Sequence, residues 1–510
     1  MFRHYTIFVS FVFLLISTFI ISLDYNHFPY SDGAEHGAAV RALARDFIHP
    51  GDPMLNLPDS ASPRYVPSIF IMALFMRLSR LDVLVVLKLF EFASFVFFLV
   101  SAAFFAMEYF NDRGQAPWSL ACLLFLWGLG WNGANAYMFS AILYTAYYPS
   151  LVSFSLAFLA LYFQLRFLHH KRRSFFIASV FTGVFCFVNH PLTGVFFLVC
   201  SGLIYLERAG VNKRVLACYA VTIITGLCLT LFWPYYNFFS SLLKVATGEM
   251  HKTMDYRLTR EYLYSQPLVR SGVALAGIPV AIYYLLQRRY VLLWAGSLVF
   301  AFLYIYGFFV NISLAERCIF FLLCLLQLTT SRLCRELFVT NIWTDGSRIN
   351  KIIYHVFILL LGGGITIQAA LTLKEFVFPC FSFTAGAAFP RYENPNTLQY
   401  ELKNYLKEGD VVLSDIYSSW AVPVYTGAKI IALYHTAPHV SDNEKRIQDV
   451  EQFYNVSLTP EQRKRIIAKY GVTHIFLNFI IDGKQLVPLL KDMRYVSSVC
   501  ADTFCIFKVN

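Results

Sequence analysis

The sequence predicts a polytopic α-helical membrane protein of about eleven transmembrane helices, followed by a soluble C-terminal α/β domain. Of its 510 residues, 57% are hydrophobic and only 14% are charged, a balance far from that of a soluble domain. Apolar segments long enough to cross a bilayer recur through residues 1–375. From residue 394 to 510, short apolar runs alternate with helical stretches, as in an α/β domain.

The predicted transmembrane region contains the apolar segments that cross, or nearly cross, a bilayer. They lie at about 5–23, 82–107, 118–138, 147–168, 174–189, 191–206, 215–234, 271–287, 290–310, 314–330 and 352–373. The first segment is longer than a typical signal-peptide core and lacks a small-residue cleavage site, so we expect an uncleaved helix.

Lys and Arg residues concentrate in links between these segments, at 169–173, 207–214, 287–289 and 332–351. The positive-inside rule places such links in the cytoplasm. The N-terminus is then cytoplasmic, and the outer face carries the loops 24–81 and 235–270 and everything after about residue 374. Because topology explains the net charge of +11, the basicity does not indicate a nucleic-acid partner.

The first outer loop contains one more apolar stretch, at 64–80. It is too short to cross a bilayer easily, and Arg77 and Arg80 interrupt it, so we expect an interfacial helix on the outer membrane surface. This helix predicts a structured loop rather than a simple hairpin.

The C-terminal domain shows strand-like runs separated by helical stretches. The predicted strands are 410–415, 429–434, 473–478 and 504–509, and the predicted helices are 397–408 and 459–471. Thr459 before Pro460 resembles a helix start, and Gly471 suits its C-terminal cap. Cys500 and Cys505 bracket a short turn, where a disulfide and two free thiols are about equally expected.

Polar residues concentrate in the two outer loops, where they would line a cleft at the membrane surface. The first group is Asp32, Glu35, His36, Arg41, Arg45, Asp46, His49 and Asp52, and the second is Glu249, His251, Asp255 and Arg260. His190, before Pro191, and Arg317, beside Glu316, each lie at the predicted outer end of a helix. Ionisable groups at such positions are costly unless they are paired, functional or able to reach the interface.

The first outer loop resembles that of the GT-C superfamily of integral-membrane glycosyltransferases. The likeness rests on an acidic residue soon after the first helix, then "RALARDFIHPGDP" (41–53), then an interfacial helix that begins with Pro. Further similar segments are "YTAYYPSLVSFSLAFLALYF" (144–163), "NHPLTGVFF" (189–197), "LFWPYY" (231–236) and "AERCIFFLL" (315–323). The segments 409–454 and 465–478 are similar to the family's soluble domain.

The resemblance implies an enzyme that takes a sugar from a polyprenyl-phosphate carrier, as the aminoarabinose and protein mannosyltransferase branches do. The acceptor is a lipid, glycan or protein, and membrane lipids surround the site. Asp32 matches the family's catalytic base, which takes the acceptor's proton in one inverting displacement. Glu35 and His36 would support it. Without the family, "YSDG" is simply a good turn sequence.

The remaining roles are assigned by position. Arg317 and Arg260 would bind the donor phosphate, while His190, Glu249, His251 and Asp255 would contact substrate. The competing interpretations are structural: Glu35 stabilises a helix start, His36 faces solvent, Arg317 reaches the interface and the second loop is a charged surface. Asp46, His49 and Asp52 are expected to be scaffold and turn residues. The segment "YTAYYPS" lacks the second acid that certain relatives have, so a two-acid mechanism is not supported.

Two other classes of function stay open: a lipid or sugar transporter or flippase, and a non-catalytic glycolipid-binding protein. Absent internal repeats and few charges at mid-helix argue against transport. No nucleotide-binding or zinc motif is present, so the sequence indicates no certain cofactor and leaves a divalent cation open. The expected location is a bacterial inner membrane, with the N-terminus cytoplasmic and the C-terminal domain periplasmic.

Overall fold

A computed structural model describes most of the chain. The described residues are 9, 12–20, 32–60, 62–129, 137–235, 237–249, 254–339, 359, 362–364, 366–367, 370, 401–433, 440–481, 483–493 and 495–509. They belong to two units. The first comprises described residues within 1–26, 88–252 and 256–387, and the second those within 27–87, 253–255 and 388–510.

The described helices are numbered from the first one after the opening apolar segment. They are α1 Asp32–Arg45, α2 Pro67–Ser79, α3 Val83–Phe110, α4 Gln115–Phe125, α5 Phe139–Thr145, α6 Pro149–His170, α7 Arg173–Asn189, α8 Pro191–Ala209, α9 Lys213–Leu231, α10 Phe238–Ala246, α11 Met254–Tyr264, α12 Pro267–Ser271, α13 Gly277–Leu286, α14 Val291–Val310, α15 Cys318–Val339, α16 Val422–Thr426, α17 Asn443–Tyr454, α18 Pro460–Tyr470 and α19 Leu486–Asp492.

Seven described helical segments are long and apolar enough to cross a membrane, and the chain is accordingly an integral membrane protein. They are Val83–Phe110, Pro149–His170, Pro191–Ala209, Lys213–Leu231, Pro267–Leu286, Val291–Val310 and Ala315–Leu337. Each coincides closely with a predicted segment. Their buried faces form an aromatic-rich core in the first unit, in which Phe154, Phe158 and Phe196 pack together.

The other four predicted crossings are not established. The described part of the segment 118–138 contains the end of the short helix α4, and α7, with 17 residues, is at the short end of the range for a spanning helix. Most of 5–23 and of 352–373 lies outside the described residues. The count of eleven therefore stays a prediction.

The second unit is built on a five-stranded sheet. The strands are β1 Val411–Leu413, β2 Lys429–Ile430, β3 His474–Asn478, β4 Val496–Cys500 and β5 Phe504–Lys508. Their order is β2-β1-β3-β5-β4, with β1 parallel to β2 and β3, and β5 antiparallel to β3 and β4.

The described residues of the predicted first outer loop (24–81) belong to the same unit as this sheet. Leu55 forms a parallel bridge with Ile430, and the side-chain amide of Asn56 donates to the Tyr470 carbonyl at 3.3 Å. Within the loop, α2 buries Ile69 and Met72 among other residues. The loop is therefore structured, as expected, and it lies against the C-terminal sheet.

Most strands of this sheet were predicted from the sequence. The predicted strands contain β1, β3 and β5, whereas the run 429–434 yields only the two residues of β2, and β4 was not predicted. Helix α18 has the expected start: Thr459 and Gln462 form a reciprocal capping box, and Gly471 ends the helix in the left-handed conformation. The predicted helix 397–408 lies partly outside the described residues, and its described part contains a short 3-10 turn, Leu402–Asn404.

A disulfide joins Cys500 and Cys505, the paired residues at the end of the β4–β5 hairpin. Replacing both with Ser should lower the free energy of unfolding by about 2 kcal/mol, because the crosslink closes a short loop. Peptide mapping without reductant should recover the two cysteines in one linked fragment. Full alkylation of both thiols in the unreduced protein would contradict the pairing.

Candidate functional site

Helix α1 carries the first group of candidate residues. Asp32 and Glu35 occupy its first turn, where carboxylates are favoured by the helix dipole. Small residues along α1 allow close packing: a Cβ on Gly37 would lie 2.4 Å from Cγ2 of Val424 in α16. Helix α1 is therefore seated directly on the C-terminal part of its own unit.

Asp32 and Glu35 share one cation, Arg64. Its Nη2 lies 2.9 Å from Oδ1 of Asp32 and 2.6 Å from Oε2 of Glu35. The two carboxylates differ in accessibility, since the side chain of Asp32 is 42% exposed and that of Glu35 only 4%. Glu35 is thus enclosed beside Arg64, whereas the side chain of Asp32 is partly exposed.

A tryptophan from the C-terminal part of the second unit also contacts Glu35. Nε1 of Trp420 donates a hydrogen bond to Oε1 of Glu35 at 3.2 Å. Trp420 lies in the 3-10 turn Ser418–Ala421, immediately before α16. One carboxylate therefore receives contacts from Arg64 and from a residue 385 positions away in the sequence.

Replacing Trp420 with Phe should weaken the placement of Glu35. The ring is retained but the N–H donor is lost, which costs about 1–3 kcal/mol at a buried charged acceptor. We expect a lower melting temperature and a moderate loss of activity. The double variant Trp420→Phe, Glu35→Gln should have nearly the same activity and melting temperature as Glu35→Gln alone. If the losses of the two single variants add up instead, Trp420 does not act through Glu35.

The other polar residues of the first loop have structural surroundings. His36 is 5% exposed, so the interpretation of a solvent-facing histidine is wrong. Oδ1 of Asp46 accepts hydrogen bonds from backbone N–H groups two and three residues later, as does Oδ1 of Asp52. These bonds, first that of His49, lower the pKa of Asp46. The expectation that Asp46 and Asp52 form turns is confirmed.

A second candidate group lies in the first unit. Nδ1 of His190 accepts from the backbone N–H of Thr193 at 3.3 Å and thereby caps helix α8. Its withdrawal from water, and secondarily the positive charge of Arg317, lower the pKa of His190 to about 3. His190 is therefore a neutral group near Arg317. It can exchange hydrogen bonds with a substrate but cannot neutralise an anion.

Arg317 ends the 3-10 turn Ala315–Arg317 that leads into α15. Its Nε is buried and has no hydrogen-bond partner among the residues that the structure describes. The neighbouring Glu316 is fully buried. A buried guanidinium nitrogen of this kind is suited to an anionic ligand.

The remaining candidate residues belong to the predicted second outer loop, 235–270. Nη2 of Arg260 donates to the Phe308 carbonyl at 3.1 Å, and its guanidinium lies 5.7 Å from the ring centre of Tyr264. Glu249 is exposed. His251 and the side chain of Asp255 lie outside the described residues.

No group of three or more His, Cys, Asp and Glu side chains within the described part of the chain is arranged to hold a metal ion. The carboxylates nearest the proposed chemistry, Asp32 and Glu35, instead contact Arg64. The site as described is therefore organised around an arginine.

Sequence reasoning missed Arg64 and Trp420. A signal existed for Arg64, because it is the charged residue just before the Pro-initiated helix α2, where the chain meets the predicted membrane surface. No local pattern marks Trp420, whose role depends on the folding of distant segments.

No protein-family model and no curated protein matches this sequence. Solved structures do match it. ArnT from Cupriavidus metallidurans bound to undecaprenyl phosphate has a TM-score of 0.57 and 13% identity, over 98% of this chain and 97% of ArnT. The same protein in its apo state has a TM-score of 0.54 and 13% identity, over 99% of this chain and 97% of ArnT. At this identity the likeness establishes a shared fold.

Proposed function

We propose, starting from the GT-C glycosyltransferase fold that this chain shares with ArnT, that it transfers a sugar from a polyprenyl-phosphate carrier to an acceptor on the outer side of the membrane. The acceptor is a lipid, glycan or protein. The proposal includes a bacterial inner-membrane location with the C-terminal domain in the periplasm.

The observation that carries the proposal is the exposed carboxylate of Asp32 beside Arg64. An acceptor hydroxyl is too weak a nucleophile at neutral pH unless a base removes its proton as it attacks. A positioned carboxylate can serve as that base, and Asp32 is held in position by Nη2 of Arg64, 2.9 Å from its Oδ1.

The chemical step is one displacement. The acceptor oxygen forms a bond to the anomeric carbon, the bond from that carbon to the carrier phosphate breaks, and the acceptor proton passes to Asp32. A single displacement inverts the anomeric configuration. The negative charge that Asp32 loses reappears on the departing phosphate, so a cation beside Asp32 can stabilise both the start and the end of the step.

We propose that Arg317 and Arg260 contact the carrier phosphate. Arg317 is suited to this role because of its buried Nε, and Arg260 would assist at the outer loop. His190 would contact a sugar hydroxyl as a neutral hydrogen-bonding group. Each of these assignments is testable by substitution, separately from that of Asp32.

Binding of undecaprenyl phosphate to the purified full-length chain tests the carrier assignment. ArnT was crystallised with this lipid. We expect binding in neutral-lipid nanodiscs and no comparable binding of undecaprenol, which has the same chain without the phosphate. Arg317→Gln should weaken binding about tenfold or more, since hydrogen bonds to charged groups contribute about 1.5–3 kcal/mol. Equal binding of both lipids would contradict the proposal.

A further inference from the structure

The helix that carries Asp32 also forms one wall of a small pocket farther along its length. Ala38, Arg41, Ala42 and Arg45 lie on this wall, at the spacing of a single helix face. The opposite side is formed by Pro53, Glu408, Pro423, Gly427 and Lys429. We call this the cationic pocket.

Small residues keep the pocket open. Ala38 and Ala42 leave space between the two arginines of α1. Gly427 has a φ of +77°, and a Cβ there would lie 3.4 Å from both Cδ of Arg41 and Cβ of Glu408. A side chain at position 427 would thus strain the backbone and touch two of the charged residues.

Neutral backbone carbonyls hold two of the three cations in place. Nε of Arg41 donates to the Val424 carbonyl at 3.2 Å, and Nζ of Lys429 donates to the Pro53 carbonyl at 3.1 Å. Lys429 also donates to the Asp52 carbonyl. Carbonyl groups orient the cations without cancelling their charge.

Positive charges outnumber negative ones among the residues that line the pocket, and the carboxylates of Asp82 and Asp52 lie next to the lining. Among its lining residues, three are cationic and Glu408 is the sole carboxylate. Glu408 contacts Arg45 at 3.0 Å, and the two side chains are 50% and 46% exposed. A second carboxylate, Asp82, lies 3.7 Å from Nη2 of Arg41. Exposed ion pairs of this kind are weak, so a competing anion can replace Glu408.

We infer that the cationic pocket is a binding site for a phosphate group, in which the carboxylate of Glu408 occupies the place of the ligand when none is bound. A phosphate suits the site because it accepts hydrogen bonds from several cationic donors at once. Arg41 and Arg45, the two arginines of the pocket, lie about 14–20 Å from Asp32 along the axis of α1, at 1.5 Å per residue. If the proposed function holds, this phosphate belongs to the acceptor, whose hydroxyl reacts at Asp32.

Binding of inorganic phosphate to the full-length protein in neutral-lipid nanodiscs tests the site without any activity assay. Arg45→Gln should weaken binding about tenfold or more, because charge-assisted hydrogen bonds are lost. Glu408→Gln should tighten binding about two- to fivefold, since the internal competitor is removed. Arg465→Gln, an exposed substitution in the same unit, should leave binding unchanged.

A second arm identifies the source of the phosphate. If phosphate on a lipid headgroup is the ligand, nanodiscs containing phosphatidic acid should raise the melting temperature of the wild type and not of Arg45→Gln. If inorganic phosphate produces that difference, the ligand approaches from water. Either result supports the site. The proposed site is overturned if wild type and Arg45→Gln respond equally to both anions, or if Glu408→Gln binds phosphate no more tightly than the wild type.

The pH dependence of sulfate binding provides a separate check. Burial lowers the pKa of Lys429 to about 8, with Arg45 acting in the same direction and Asp52 and Glu408 opposing it. The cationic form is present below this pKa and is lost above it, while sulfate keeps its charge. Sulfate binding should therefore weaken between pH 7 and 9 in the wild type and not in Lys429→Arg. A wild-type profile that is flat over this range would exclude Lys429 from the site.

Discussion

Replacing Arg64 with Gln is expected to abolish most sugar transfer and to lower the free energy of unfolding by about 3–5 kcal/mol. The stability loss arises at Glu35, whose side chain is only 4% exposed and would lose its contact with Arg64. The activity loss arises at Asp32, which would lose the cation 2.9 Å away. Thermal unfolding and transfer assays on the purified chain measure the two effects.

The double variant Arg64→Gln, Glu35→Gln separates these effects. Without a charge left buried, it should recover most of the lost stability but not the activity. Arg80→Gln, at an exposed position of the same loop, is the matched control. An Arg64→Gln protein as stable as the wild type would contradict the role assigned to the Glu35 contact.

Replacing Asp32 with Asn is expected to lower the rate of transfer by about 10²–10⁴-fold, the usual contribution of a positioned general base. Asn preserves the size of the side chain and cannot accept the proton. Because Asp32 is 42% exposed, the protein should still fold and should still bind undecaprenyl phosphate. The exposed Asp59→Asn variant in the same loop should remain fully active. A loss of carrier binding in Asp32→Asn would instead indicate a binding role.

Local sequence patterns predicted the apolar helices, the helix cap and the turns, which depend on residues close together in the sequence. Hydropathy located the seven long apolar segments, because burial in lipid requires a continuous run of apolar residues. The Thr459 capping box and the Asp46 and Asp52 turns depend on residues two or three positions apart, and they were correctly placed. Helix α4 ends at Phe125, inside the predicted segment 118–138, because apolar composition alone does not reveal where a helix ends.

Contacts between distant segments could not be predicted in this way. Trp420 reaches Glu35, and Arg45 reaches Glu408, across more than 350 intervening residues. The sequence of α1 does not reveal which distant residues its buried side chains contact. The same limit applies to β4, a polar strand that is held by pairing with β5. Asp32 was identifiable because a family resemblance supplied the context that its own tetrapeptide lacks.

The central claim is that Asp32 acts as the base in sugar transfer from a polyprenyl-phosphate carrier. Mass spectrometry of carrier-linked sugars and surface glycans tests it most directly, in cells that lack the gene and produce either the wild type or Asp32→Asn at equal levels. The account predicts that Asp32→Asn behaves like the empty control, with one carrier-linked sugar accumulating and one glycan decoration missing. Restoration of the wild-type profile by Asp32→Asn would contradict it.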